Sequence, residues 1–236
     1  MLPDIIFVKE TDSTNARVRA LALEGAPEFT AVAAQQQSAG KGRMGRRFAS
    51  PPGGVYFSML VKPEKAETML RIMPLAALAV HRTIKELCNL ECAVKWPNDL
   101  LCDGKKLCGI LTEAVTAGDE ISVIVGIGVD LNTVEFPPEL EGIAASVYGL
   151  TGKKTDFAAF VYALYDHLRR ALSGEWSVED YRRVCVNVGR PVTLIRDGAE
   201  KSGVCLGVND DFSLLVEYEN GEKENVFYGE VSVKKA

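Results

Sequence analysis

The sequence predicts an α+β fold, with a mixed or antiparallel sheet carrying helices over residues 1–186 and a small C-terminal β-barrel over residues 187–236. Three features predict it. Residues 69–90 and 156–172 repeat apolar side chains at helical spacing, which makes two long amphipathic helices. Asp103-Gly104 and residues 117–119 are turn sequences between strand-like runs, so residues 100–102, 106–115 and 121–129 read as successive hairpins. Beyond residue 186 the composition shifts to short strands parted by Asp-Gly, Asn-Asp-Asp and Asn-Gly turns, the pattern of a small antiparallel barrel.

In chain order, residues 5–8 read as a first strand. Residues 11–15 then supply N-cap candidates for a helix to about residue 24, with Val18, Leu21 and Ala22 as its buried stripe. Residues 30–36 form a second strand, and residues 55–61 a third of alternating character. Between them lie ~14 residues without regular structure. The helix at 69–90 carries Pro74 in its first turn and buries Leu75, Leu78, Ala79, Ile84 and Leu87, with His81 as a surface or packing residue. Residues 93–96 enter the sheet, residues 132–147 form a loop over it, and the helix at 156–172 includes His167. A further helix near 178–185 precedes the strands 191–195, 204–208, 214–217 and 225–227.

The 236 residues are 47% hydrophobic and 25% charged, as expected of one large domain or one large and one small. No apolar run approaches the ~18 residues of a membrane helix. Met1-Leu2-Pro3-Asp4 is not a charged leader before an apolar stretch, so the expected location is the cytoplasm, with no membrane partner. The six cysteines make no C-x-x-C pair, and only His81 and His167 could join them, which argues against zinc and for reduced, buried thiols. A net charge of −5 opposes nucleic-acid binding.

Against that acidic background stands residues 35–48, Q-Q-Q-S-A-G-K-G-R-M-G-R-R-F. Gly40, Gly42 and Gly45 allow close backbone approach and a nest of N–H groups, while Lys41, Arg43, Arg46 and Arg47 supply positive charge, so the expected ligand is small and anionic. The same glycines satisfy G-x-G-x-x-G. A dinucleotide fingerprint, however, opens a helix at its last glycine, and here Ser50-Pro51-Pro52-Gly53-Gly54 follows. No Gly-Lys-Ser/Thr closes a P-loop either. A solvated cationic turn is the plain alternative.

The loop G-K-G-R-M-G-R-R-F resembles the Gly-Arg-rich loop of biotin protein ligases. Lys95-Trp96-Pro97-Asn98-Asp99 and Lys106-Leu107-Cys108-Gly109-Ile110-Leu111 resemble that family's next motifs, with Ser13-Thr14-Asn15 upstream and Gly126-Ile127-Gly128-Val129 downstream. The match spans about residues 5–132. It implies the biotin/lipoyl ligase catalytic fold with a Src-homology-3-like C-terminal domain, Gly229-Glu230-Val231-Ser232 resembling its closing motif. Because catalytic-type sequence starts within the first ten residues, a short form without an N-terminal DNA-binding domain is expected. The implied activity is ATP-dependent activation of biotin as biotinyl-5′-adenylate, with Mg²⁺, and transfer to a lysine of a biotin carboxyl carrier protein. A homodimer stays open.

The resemblance assigns biotin contacts to Ser13, Thr14, Asn15, Gln37, Gly40, Lys41, Gly42, Arg43, Lys106, Gly109, Gly126 and Gly128. It assigns ATP contacts to Arg43, Arg46, Lys95, Asn98, Asp99, Lys106, Asp130 and Asn132, and Mg²⁺ to Asp99. Arg43 and Lys106 are the catalytic candidates, because two anions must meet and no histidine is placed as a base. There are departures: Lys41 and Met44 stand where relatives carry Arg, and Asp130, where Asn is expected, would bring a negative charge beside ATP. A lipoate ligase or transferase and a non-catalytic biotin or nucleotide sensor are the competing readings. The full glycine-arginine loop with K-W-P-N-D argues against the first, and the intact set Arg43, Asn98, Asp99 and Lys106 against the second.

Overall fold

The computed structural model describes residues 5–65, 68–117, 120–196 and 198–233. A seven-stranded sheet, in the order β1-β2-β3-β7-β6-β5-β4, forms its larger part. These strands are β1 (Ile5–Val8), β2 (Ala31–Ala34), β3 (Val55–Val61), β4 (Ala93–Lys95), β5 (Asp99–Cys102), β6 (Lys105–Ala117) and β7 (Glu120–Val129). Only β1 and β2 run parallel, so the sheet is mixed, as predicted.

The two faces of the sheet are covered by different helices. Helix α1 (Thr14–Leu23), capped by Ser13, packs Val18 and Ala22 against Val32, Leu60, Val115 and Ile124. Helices α2 (Met69–Cys88) and α4 (Phe157–Leu172) share the main core on the other side with Phe57, Met59, Val125 and Ile127. Because β3 is covered on both faces, all seven of its residues are buried. A doubly covered strand has no wet face, so the alternation expected for residues 55–61 has no physical basis here.

Pro74 lies inside α2, beyond its first turn. The N–H it lacks would have met the carbonyl of Leu70, an exposed residue, where water can serve instead. Leu87 is exposed rather than buried, near the end of α2, where Asn89 turns out of the helix at φ 50°. His81 is buried, with Nδ1 2.8 Å from the Cys92 carbonyl, and burial lowers its pKa; it fastens α2 to the chain before β4. The hairpin turn Asp103-Gly104 has φ 50° and 74°, the backbone that this residue pair is chosen for. In the second hairpin Ala117 pairs with Glu120, while Gly118 and Asp119 lie outside the described residues. All six cysteines are free thiols, and five are buried.

A short helix α3 (Val147–Thr151), not foreseen from the sequence, follows the loop over the sheet, and α5 (Val178–Val184) leads into the second sheet. That sheet is antiparallel, ordered β11-β10-β9-β8-β12. Its strands are β8 (Pro191–Arg196), β9 (Ala199–Val208), β10 (Leu214–Tyr218), β11 (Lys223–Val226) and β12 (Glu230–Val233). The outer strands β11 and β12 do not pair among the described residues, so the small β unit is an open sheet and not the closed barrel expected. Between them Gly229 stands at φ 124°, against Leu194 and Ile195 of β8, and leads into β12 on the other edge of the same sheet. The two parts are joined at Trp96, whose N–H donates to Asn187 Oδ1 at 2.8 Å and whose Nε1 donates to the Phe212 carbonyl at 2.9 Å. Among the described residues no helix is long and apolar enough to cross a membrane.

Candidate active site

A groove opens on the α1 side of the sheet, and its floor is glycine. Gly109 and Gly128 are register partners on β6 and β7, and Gly126 pairs with Leu111 nearby. A Cβ at Gly128 would fall 2.4 Å from Phe48 Cε1, one at Gly109 2.8 Å from Phe48 Cε2, and one at Gly126 2.1 Å from Asn15 Oδ1. Any side chain there would fill the space that Phe48 and Asn15 reach into.

One end of the groove is a buried polar network. Ser58 donates within reach of both Asn15 Oδ1 (2.6 Å) and Thr14 Oγ1 (2.7 Å), and Asn15 Nδ2 donates to Glu113 Oε2 at 2.6 Å. Gln37 Oε1 accepts from the Thr14 N–H at 2.8 Å and from its hydroxyl at 3.1 Å, while Gln37 Nε2 donates to Ser50 Oγ at 2.9 Å. This chain fixes the orientation of every amide in it, which suits recognition of a ligand bearing both donors and acceptors. Ser13 is committed to capping α1, its Oγ accepting weakly from the Ala16 N–H at 3.4 Å.

The glycine-arginine loop covers the other end. It is not without regular structure: Arg43–Gly45 form one 3₁₀ turn, Lys41 bridges Arg47, and the Phe48 N–H donates to the Gly40 carbonyl at 2.9 Å. Met44, at φ 55°, is 74% exposed and brings the site no charge; its one hydrogen bond among the described residues is to Arg46, whose Nη2 donates to its sulfur at 3.8 Å. Arg43 turns inward. Its Nη1 donates to Asn98 Oδ1 at 2.9 Å and its Nη2 to the Gly229 carbonyl at 3.1 Å, while Arg46 ion-pairs with Glu230. Burial lowers the Arg43 pKa, with Asp99 opposing the shift and Arg46 adding to it, and an arginine keeps its charge at neutral pH even so.

Beneath Arg43, the Trp96-Pro97-Asn98-Asp99 turn joins β4 to β5, with a cis Trp96–Pro97 bond. Lys106 Nζ lies 2.6 Å from Asp99 Oδ1 and 5.8 Å from the centre of the Phe48 ring, and Asn98 Nδ2 donates to Asp99 Oδ1 at 3.2 Å. Two cavities meet at this point. The groove, a narrow cavity of about 60 Å³, is lined by every residue assigned to biotin except Gly40. A wider cavity of about 360 Å³ is lined by Arg43, Arg46, Lys95, Asn98, Asp99, Lys106 and Asp130, and by Arg47, Leu140, Ile143, Ala144 and Glu230. Gly42, Arg43, Phe48, Asn98 and Lys106 line both.

Two predicted residues are placed elsewhere. Gly40 supports the loop from below, where a Cβ would meet Ser50 Oγ at 2.4 Å. Asn132 spends its amide on Thr155, donating to the carbonyl at 2.8 Å and accepting from the N–H at 3.0 Å, and does not line the cavity. Sequence reasoning also missed Ser58, Glu113, Ile143 and Glu230. Ser58 carried a signal, being the one small polar residue in an otherwise apolar and aromatic strand; the others are brought in by register and loop path alone. Among the described residues no three His, Cys, Asp or Glu side chains cluster to hold a metal ion.

The family model for the biotin/lipoate A/B protein ligase family matches residues 7–130. The chain is 33% identical over 237 residues to the bifunctional ligase/repressor BirA of Bacillus subtilis, covering 93% of this chain and 71% of that protein. It is 31% identical over 240 residues to the biotin–[acetyl-CoA-carboxylase] ligase of Paracoccus denitrificans, covering 94% of this chain and 100% of that one. The solved structure of the biotin protein ligase from Aquifex aeolicus in complex with biotin and ATP is similar over 100% of both chains, with a TM-score of 0.86 at 28% identity.

Proposed function

The chain belongs to the biotin/lipoate A/B protein ligase family, and on that premise we propose how its two cavities divide one reaction. It is an ATP-dependent biotin–protein ligase that makes biotinyl-5′-adenylate and transfers the biotinyl group to an acceptor protein. The groove takes biotin, its ureido ring at Asn15, Thr14 and Gln37, its body on Gly126 and Gly128, and its carboxylate towards Arg43, Lys106 and Lys41. The wider cavity takes ATP, with the phosphates near Arg43, Arg46, Lys95 and Lys106. The observation that carries this assignment is that Arg43 and Lys106 line both cavities where they meet.

In the first step a biotin carboxylate oxygen attacks the α-phosphorus; the new O–P bond forms as the bond to pyrophosphate breaks. Both reactants are anions, so the barrier is mostly charge repulsion and alignment. Arg43 and Lys106 lower it by holding positive charge at the meeting point, half-buried and fixed by Asn98 and Asp99. In the second step the neutral amine of an acceptor lysine attacks the acyl carbon, the C–O bond of the anhydride breaks, AMP leaves with the electron pair of that bond, and the proton shed by the nitrogen as the amide forms passes to water. Phe48, lying over the glycine floor, screens that anhydride from water.

Asp99 would hold Mg²⁺ together with phosphate oxygens and water, which fits an ion that keeps much of its hydration, and Mg²⁺ would offset charge on the leaving pyrophosphate. The biotin carboxyl carrier protein as acceptor, the cytoplasmic setting and a domain boundary at residue 187 belong to the same proposal. Mass spectrometry of a carrier domain incubated with this protein, Mg-ATP and either biotin or lipoate tests it. Addition of biotin to one lysine is expected; exclusive addition of lipoate, or no addition, contradicts it.

A further inference from the structure

We propose that Glu113 is a positioning residue for biotin: its carboxylate sets the direction of the hydrogen bonds through Asn15, Ser58 and Thr14. Thr14 Oγ1 and Gln37 Oε1 then both face the groove as acceptors for one ureido N–H. The proposal rests on the biotin-binding reading above and adds to it a residue outside the groove's own lining.

Glu113 lies on β6 opposite Ile124 of β7, beneath α1. Asn15 and Arg19 stand one turn apart on that helix, on one face, and both reach it. Oε2 accepts from Asn15 Nδ2 at 2.6 Å, and Oε1 accepts from Arg19 Nη2 at 3.3 Å. The Arg19–Glu113 pair is partly exposed and adds little stability. Its effect falls on Asn15, which is buried.

A carboxylate only accepts, so the amide nitrogen of Asn15 faces Glu113 and its oxygen faces Ser58. Ser58 is fully buried and owns one hydroxyl proton, which therefore goes to Asn15 Oδ1 at 2.6 Å. The contact between Ser58 Oγ and Thr14 Oγ1, at 2.7 Å, then takes the proton of Thr14. What remains is the longest of these contacts, Thr14 Oγ1 to Gln37 Oε1 at 3.1 Å, as two oxygens with no proton between them. Gln37 cannot turn its nitrogen there, because Oε1 accepts from the Thr14 N–H at 2.8 Å while Nε2 donates to Ser50 Oγ at 2.9 Å. Thr14 and Gln37 both line the groove, and two acceptors side by side make a seat for one donor, which a ureido N–H supplies. Asn15 keeps a second amide hydrogen for the ureido carbonyl.

Without the carboxylate the chain can run the other way. A neutral amide at position 113 can donate to Asn15 Oδ1; Asn15 then donates to Ser58, Ser58 to Thr14 and Thr14 to Gln37, and the seat closes. Glu113 thereby decides which ligand chemistry the groove accepts. With it, a ring N–H is bound and a ring oxygen, a third acceptor beside two others, is rejected.

The test is binding calorimetry, without ATP, of biotin and of the two cyclic carbamates in which one ureido N–H is replaced by a ring oxygen. The proteins are the native chain, Glu113→Gln and Ser58→Ala, each with its thermal midpoint. The native protein should prefer biotin over one of the carbamates by about a hundredfold or more. In Glu113→Gln, biotin affinity should fall about tenfold and that preference should narrow by about tenfold, while kcat for pyrophosphate release at saturating biotin stays within about twofold. Ser58→Ala cuts the same chain and should narrow the preference likewise. If Glu113 only anchors α1, biotin and carbamate lose affinity equally. An absent preference in the native protein overturns the inference and leaves the ligase reading standing, as does an unchanged preference in folded Glu113→Gln or, should that variant not fold, in Ser58→Ala. Failure of the native protein to bind biotin overturns both.

Discussion

Gly126 and Gly128 sit in extended strand with no unusual backbone angle, whereas Gly45 stands at φ 72° in the loop above them. At the floor it is the missing Cβ that matters, since the space is already claimed by Asn15 and Phe48. In the loop it is the backbone angle that matters, since nothing lies within 4 Å of a Cβ at Gly45. The contrast extends to everything around them. The floor is a shape, set by buried strands and by a polar network whose members hold one another. The loop is charge, held by one turn and a few side-chain ties, chiefly Arg43 to Asn98 and Gly229 and Arg46 to Glu230.

If the loop's contribution is charge at the junction, Arg43→Ala gives the largest effect: pyrophosphate release slower by roughly 10²–10³-fold, measured at saturating biotin and Mg-ATP. A loss under tenfold would place the work elsewhere. If the floor's contribution is shape, Gly126→Ala, whose Cβ would fall 2.1 Å from Asn15 Oδ1, should weaken biotin binding tenfold or more by calorimetry and cost about 1–3 kcal/mol of stability. Gly45→Ala is the sharpening control. It should cost about 1–2 kcal/mol through its strained angle and leave biotin affinity within about threefold. Equal losses of affinity from the two glycine variants would erase the distinction. The smallest effect is expected from Glu230→Gln, which releases Arg46. Trypsin should cut at Arg46 and Arg47 a few-fold faster, with stability changed by under about 1 kcal/mol, because the pair is partly exposed.

The same contrast explains what could be read from the sequence. The loop was legible because charge and glycine spacing are local properties, and Lys41, Gly42 and Arg43 do line the groove. Asp103-Gly104 was legible for the same reason, as turn chemistry is written in two adjacent residues. Neighbours created by register were not. Glu113 reaches Asn15 across 98 positions, and Glu230 reaches the loop from a second sheet, and no local pattern announces either. The alternation expected for β3 failed because burial on both faces depends on which helices the rest of the chain supplies. The small antiparallel unit was legible from its short strands and turn sequences, but whether its edge strands β11 and β12 meet is a long-range pairing that neither strand's composition states.

Lys106 is where shape and charge meet, projecting from the floor strand β6 beneath the loop, beside Asp99 at 2.6 Å and lining both cavities. The most direct test is pyrophosphate release by Lys106→Ala at saturating biotin and Mg-ATP, read beside its thermal midpoint. Because the Lys106–Asp99 pair is partly exposed, its loss should move the midpoint by only a few degrees, about 1 kcal/mol or less, while the release rate falls at least ~10²-fold. A release rate within a few-fold of the native protein's, or a fall matched by loss of the folded state, would contradict the assignment of Lys106 to the junction of the two substrates.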